Sequence, residues 1–392
     1  MKSFTEKQLV FILAALSAIT PLAIDMYLPA VNTMSQSLNV PEPQVAISIS
    51  IFFMGLAVGQ LIGGPISDAY GRRPIVIAGL GIFCISSIFM AFINDVHALW
   101  VLRFVQALGG GAATVNVAAI VRDMFSGSES ARIFSMIGSV TILAPLVAPA
   151  LGLVIISMFG RWEAIFALLA VYSLLALFFY VKYFKTQNVA DKRRVTPVKN
   201  YIEVLTTPKP MIIMTALVIS SSGLYALLAS SSIVYTNYFG LSKFMFVVCF
   251  TMNISVMIIT SKINVKIVRR FSPLKILRFG IKMQVLIALL LLILHKSENI
   301  FIMAPLIALF IGMLGFIFGN AISIILEYFP KTSASANAVL GVLQYSVGAV
   351  SGLLVSVFDD GTLFPLMLVI ALSSFIGAVI LLVGTKHAKV LV

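Results

Sequence analysis

Apolar residues run through this chain in blocks of about 20 or more, separated by short stretches rich in glycine, proline, lysine and arginine. A helix rises 1.5 Å per residue, so each block is long enough to cross the hydrocarbon core of a bilayer, about 30 Å. Twelve blocks meet that measure, at roughly 8–30, 44–64, 74–93, 98–121, 133–157, 163–182, 211–235, 243–261, 276–294, 299–326, 334–357 and 362–384. The pattern predicts an all-α polytopic membrane protein. The longest polar stretch, Lys185 to Pro210, has six blocks on either side. It predicts an N-terminal six-helix half over 1–182, a basic linker over 183–210 and a C-terminal six-helix half over 211–392. The first block follows M-K-S-F-T-E-K and could pass for a signal peptide. It is too long for a typical signal core and many spans follow, so it is expected to be retained as a transmembrane helix.

Composition sharpens this picture. The 392 residues are 60% hydrophobic and only 10% charged, against about 25% charged in an ordinary soluble domain. In a soluble protein the net charge of +13 would point to nucleic acid. Here the cations lie between spans, so the expected partner is the lipid bilayer and no nucleic acid is expected. With the N-terminus inside, 23 of the 27 Lys and Arg residues fall in cytoplasmic segments, three in outer loops and Arg103 within the fourth span. That bias predicts cytoplasmic termini. Cys84 and Cys249 lie inside apolar blocks, while His97, His295 and His387 lie far apart at block ends. No group has metal-ligand spacing, so neither metal nor cofactor is expected.

The costliest residue is Asp25, near the end of the first block. A carboxylate in a membrane helix costs about 3 kcal/mol on insertion scales, faces protein or water, and usually has a function. Arg103 opens the fourth span, which runs the opposite way. Counted from the block ends, both lie ~7 Å below the outer boundary. A nearby guanidinium favours the ionised carboxyl and burial the neutral one. A carboxyl balanced between them can carry a proton, with Asp25 as carrier and Arg103 tuning it. A static ion pair is the plainer alternative. In the fifth span, Pro145 and Pro149 bend the helix, while Gly138 and Gly152 belong to a thin face suited to close packing.

After the second span comes G-G-P-I-S-D-A-Y-G-R-R-P, Gly63 to Pro74. It resembles the signature loop of the major facilitator superfamily, G-x-x-x-D-[RK]-x-G-[RK]-[RK], at Gly64, Asp68, Gly71, Arg72 and Arg73. Physically, Gly64 permits close helix approach, Asp68 can accept hydrogen bonds from a facing helix terminus, Gly71 permits the turn, and the arginines pin the loop. Ala69 departs from the pattern, which has a basic residue there. I-D-M-Y-L-P-A (Ile24 to Ala30), R-F-V-Q-A-L-G-G-G-A-A (Arg103 to Ala113) and A-P-L-V-A-P-A-L-G (Ala144 to Gly152) extend the resemblance. So do V-Y-T-N-Y-F-G-L-S (Val234 to Ser242) and S-A-N-A-V-L-G-V-L-Q (Ser335 to Gln344). Together they are most similar to the Bcr/CflA drug-resistance family of drug/proton antiporters. That resemblance implies two parallel six-helix repeats around a midplane site, export of small amphipathic drugs or metabolites by alternating access, and the proton-motive force as driver. It implies a bacterial inner-membrane protein, expected to act as a monomer. It also implies a proton-coupling role for Asp25 and Arg103 and an antiporter motif at Pro145 and Pro149. Members often have Trp-Arg at the start of the sixth span, where this chain has Arg161-Trp162-Glu163.

Polar or aromatic residues inside apolar spans are candidates for a substrate cavity: Tyr27, Gln60, Asn116, Tyr225, Asn253, Asn320, Gln344 and Tyr345. Each could equally be an interhelical hydrogen bond. The alternative within transport is an antiporter or facilitator specific for one metabolite, amino acid or siderophore. An intramembrane enzyme is a remote alternative. The other acids lie in loops or at span ends, leaving Asp25 without a second intramembrane acid, and no clustered ligands or catalytic residues stand out.

Overall fold

The computed structural model describes residues 6–125, 127–184, 197–330 and 332–386, and all regular structure among them is helical. In chain order the helices are α1 (Glu6–Asp25), α2 (Val31–Leu38), α3 (Glu42–Tyr70), α4 (Arg72–Met90), α5 (Val96–Met124), α6 (Gly127–Phe159) and α7 (Glu163–Tyr183). They continue as α8 (Pro197–Thr206), α9 (Pro208–Ser232), α10 (Lys243–Ile267), α11 (Pro273–Ile293), α12 (Ile300–Glu327), α13 (Ser333–Val357) and α14 (Phe364–Gly384). Among the described residues 12 helical segments are long and apolar enough to cross a membrane. The twelve predicted spans are therefore all present. The first is longer than the apolar block suggested, because helix continues past Pro29 to Leu38.

Helix ends follow local chemistry. Asp95 caps α5, its carboxylate accepting from Ala98 N–H at 2.8 Å. Ser242 caps α10 and Asn299 caps α12 in the same way, satisfying backbone donors that have no partner within the helix. Gly71 closes α3 at φ 96°, a conformation that side chains resist.

The chain forms two compact units. One comprises Met1–Pro41 with Ile51–Lys199, the other Glu42–Ser50 with Asn200–Val392. In the first unit, α4 packs on α5 and α7, and α1 packs on α6. Close approach comes from glycine: a Cβ on Gly63 would lie 2.6 Å from Ala112 Cα, and one on Gly79 would lie 2.6 Å from the Gly109 carbonyl. The space for a side chain has been given to the neighbouring backbone. In the second unit, α9 packs on α13 and α14, α10 on α12, and α11 on both α12 and α14. Part of the expected linker, 185–196, lies outside the described residues. Most of the rest is helical: Val204 of α8 is fully buried, and Tyr201 packs against the core of the second unit.

Candidate functional site

The site begins where the first span breaks. Pro29 has no N–H to return to the carbonyl of Asp25, so the α-helical ladder cannot continue through this turn. Met26 N–H still reaches the Leu22 carbonyl at 3.1 Å. A single 3₁₀ turn, Leu28–Ala30, then carries the chain into α2. Asp25 is the last residue of α1, and only 4% of its surface is exposed. Its Oδ1 is buried with no hydrogen-bond partner.

Arg103 of α5 is fully buried in the same unit. Its Nη1 donates to the Ala23 carbonyl at 3.1 Å and to Gln106 Oε1 at 2.8 Å. Gln106 Nε2 in turn donates to Ser87 Oγ at 2.8 Å, and Ser87 Oγ donates to the Phe83 carbonyl at 2.6 Å. This chain of bonds ties α1, α5 and α4 together. Nε and Nη2 of Arg103 have no hydrogen-bond partner. The guanidinium carbon instead lies 4.1 Å from the centre of the Phe52 ring and 4.5 Å from that of Tyr27. Phe166 sits 5.9 Å away and carries Trp162 edge-on. A cation desolvated among aromatic faces recovers about 2 kcal/mol from such contacts.

No ion pair joins Asp25 to Arg103 among the described residues. The Arg103 side chain instead reaches the carbonyl of Ala23, two residues before Asp25. Gln106 and Ser87 escaped the sequence reading. The signal was there for Gln106, since an i, i+3 spacing from Arg103 places both on one helix face. Ser87 is a small polar residue that nothing in the sequence sets apart.

Helix α6 closes the other side of α1. A Cβ on Gly152 would overlap the carbonyl oxygen of Met26, so glycine is required exactly beside the break. Pro149 is buried within the same stretch. Gly138 differs from the expectation of one thin face, for no atom lies within 4 Å of its would-be Cβ.

The signature loop is built on ionic contacts. Arg72 pairs with Asp68, lies 3.2 Å from Asp123 at the end of α5, and donates to Ser67 Oγ at 2.8 Å. The partner of Asp68 is thus the side chain of Arg72, the first residue of α4, one turn away. Ser67 Oγ donates to the Gly64 carbonyl at 2.8 Å, and Arg73 to the Val181 carbonyl of α7 at 3.4 Å.

The cavity candidates divide. Tyr27 joins Arg103, as above. In the second unit Tyr225 and Tyr345 meet edge to face with ring centres 6.1 Å apart. Asn253 bonds Tyr235 at 3.2 Å, and Asn320 bonds Asn264 at 2.8 Å, so both serve as internal links. Asn116 donates to the Ala112 carbonyl of its own helix. Gln60 and Gln344 are half-buried. Arg161 and Glu163 approach to 3.8 Å, with the arginine largely exposed.

The family model for the Major Facilitator Superfamily matches residues 13–356. The chain belongs to the major facilitator superfamily. Within it, a bicyclomycin resistance protein homolog of Haemophilus influenzae is 32% identical over 360 residues, 91% of this chain and 90% of the relative. An uncharacterized MFS-type transporter of Bacillus subtilis, YdgK, is 29% identical over 389 residues, 97% and 96% of the two chains. A chloramphenicol resistance protein of Pseudomonas aeruginosa is 34% identical over 161 residues, 41% of this chain and 38% of that one. The partially occluded, inward-open structure of the xylose transporter XylE from E. coli shares the fold, with a TM-score of 0.74 at 11% identity and 98% of each chain covered. As a superfamily member, this protein is a multi-pass membrane transporter for a small-molecule substrate.

Proposed function

We propose that this transporter exports small amphipathic compounds, drugs among them, in exchange for protons by alternating access. The observation that carries the reading is Asp25: a carboxyl group at a helix break inside a membrane span, almost fully buried, with one oxygen lacking any partner. Such a group is retained in a membrane for a purpose. Asp25 is the proton carrier. Arg103, locked to the Ala23 carbonyl and to Gln106, holds the break in shape and supplies a fixed positive charge nearby. Helix α6, seated on Met26 through Gly152, transmits movement between the antiporter motif and the carrier. Gly64, Asp68, Gly71, Arg72 and Arg73 form the gating loop. Tyr27, Tyr225 and Tyr345 are the aromatic contributions to the cavity.

The resistance names borne by the Haemophilus and Pseudomonas relatives support drug export as the activity. The distribution of Lys and Arg supports cytoplasmic termini in a bacterial inner membrane, with the protein working as a monomer. The test is proton movement in reconstituted vesicles on addition of chloramphenicol or bicyclomycin, for the wild type and for Asp25→Asn. Substrate-dependent proton flux that vanishes in the variant is expected. Uphill export driven by a proton gradient in Asp25→Asn would remove the carrier from the mechanism. Absence of energised efflux across a broad compound panel would favour a single-metabolite antiporter instead.

A further inference from the structure

The loops after α3 and after α10 both carry adjacent arginines, yet they differ in electrostatic design. Arg72 in the first is neutralised by Asp68 and Asp123. Around the second, Lys262 and Lys266 at the end of α10, Arg269 and Arg270 in the loop, and Lys275 and Lys282 in α11 are all exposed. None of the six makes an ion pair with a described residue. The sequence offers them nothing nearby either, since no Asp or Glu occurs between Glu203 and Glu298. Arg278 stands apart because it is engaged, donating to the carbonyl and hydroxyl of Thr385 at 2.8 Å each.

Between these cations, large apolar side chains are also exposed: Ile263, Val265, Val268 and Phe271, with Val265 at 60% and Phe271 at 54%. A loop that serves only to set orientation needs cations, but gains nothing from apolar residues interleaved with them. Cations beside exposed apolar groups at the ends of spanning helices match one chemistry, the boundary between phosphate headgroups and acyl chains. Lys262 and Lys266, four residues apart, also share one face of α10.

We propose that the segment Lys262 to Lys282 is a binding surface for anionic phospholipid in the adjoining leaflet. Lys266, Arg269 and Arg270 take the phosphate, while Val265 and Phe271 enter the acyl boundary. The lipid relieves the mutual repulsion of six unpaired cations and holds the α10–α11 loop at the membrane surface.

The experiment uses purified full-length protein offered equimolar phosphatidylglycerol and phosphatidylcholine, with bound lipid read by native mass spectrometry. The wild type should retain phosphatidylglycerol about tenfold over phosphatidylcholine. K266Q/R269Q/R270Q should bring the ratio towards one, while the charge-conserving R269K/R270K keeps it. All three positions are exposed, and unchanged melting of the variants checks that the fold is intact. Equal retention of the two lipids by the wild type would overturn the proposal, as would a preference that survives in K266Q/R269Q/R270Q. Displacement of phosphatidylglycerol by excess inorganic phosphate would overturn it too, by showing a simple anion site.

Discussion

The contact between α6 and α1 allows a sharp test through Gly152→Ala. The added Cβ would overlap the Met26 carbonyl oxygen and lie 2.8 Å from its carbon and 3.3 Å from Met26 Cα. Ordinary carbon–carbon contacts are about 3.5–4.0 Å, so the helices must part by roughly 1 Å or more at this level. Backbone is the obstacle, and no flexible side chain can swing away. Overpacking of this kind costs about 1–3 kcal/mol, offset by the roughly 1 kcal/mol that alanine gains over glycine in a helix. A net loss of up to about 2 kcal/mol is expected, together with loss of proton-coupled transport because the Asp25 break is displaced. Gly138→Ala on the same helix is the internal control. It meets no atom within 4 Å, so it should keep only the propensity gain. Cys84 and Cys249 are free and buried, so thiol-reactive dye labelling during a thermal ramp reports unfolding directly. If Gly152→Ala melts at or above the wild type, or Gly138→Ala falls as far, the reasoning from backbone contact is wrong.

Gln106→Leu removes an acceptor from Arg103 Nη1 and the donor to Ser87. Stripping a hydrogen bond from a buried charge should cost about 2–3 kcal/mol, and Ser87→Ala about 1 kcal/mol, both measured by the same melting assay; wild-type stability in Gln106→Leu would dismiss the network. The Arg72 contacts are partly exposed, so Arg72→Gln should cost no more than about 1 kcal/mol while slowing transport; a much larger stability loss would contradict the loop's assignment to gating. At Asp95, the N–H of Ala98 bonded to the carboxylate holds its pKa below the usual range. A lowered folded value means the stabilisation is present above the unfolded pKa of about 3.9 and is lost as pH falls through the folded value. Asp95→Ala should therefore melt below the wild type at neutral pH, with the gap closing in acid; a gap independent of pH would show that the cap does not act through its charge.

The twelve spans were legible because a membrane helix must satisfy its backbone internally, which leaves a long apolar run as an unmistakable trace. Asp25 and Arg103 were legible for the converse reason, as charges where lipid forbids them. The C-terminal limit of the first span was not, since V-N-T-M-S-Q-S-L (Val31 to Leu38) is polar enough to read as a loop but forms α2. Tertiary burial overrode composition there, with Val31, Met34 and Leu38 all buried. Glycine roles were also hidden: Gly138 and Gly152 look alike in sequence, and only the neighbouring backbone separates them. Asn253 and Asn320, read as either cavity residues or interhelical links, donate to Tyr235 and Asn264, a choice of partner that no single sequence reveals.

The break at Met26 has a mechanical consequence. A continuous rod passes a push from one end to the other, whereas a jointed rod lets its two lengths turn separately. The piece ending at Leu38 is joined to Glu6–Asp25 through a single 3₁₀ turn, and that turn rests on α6 as α1 does. Any bend in this span is therefore concentrated beside the acid rather than spread along the helix.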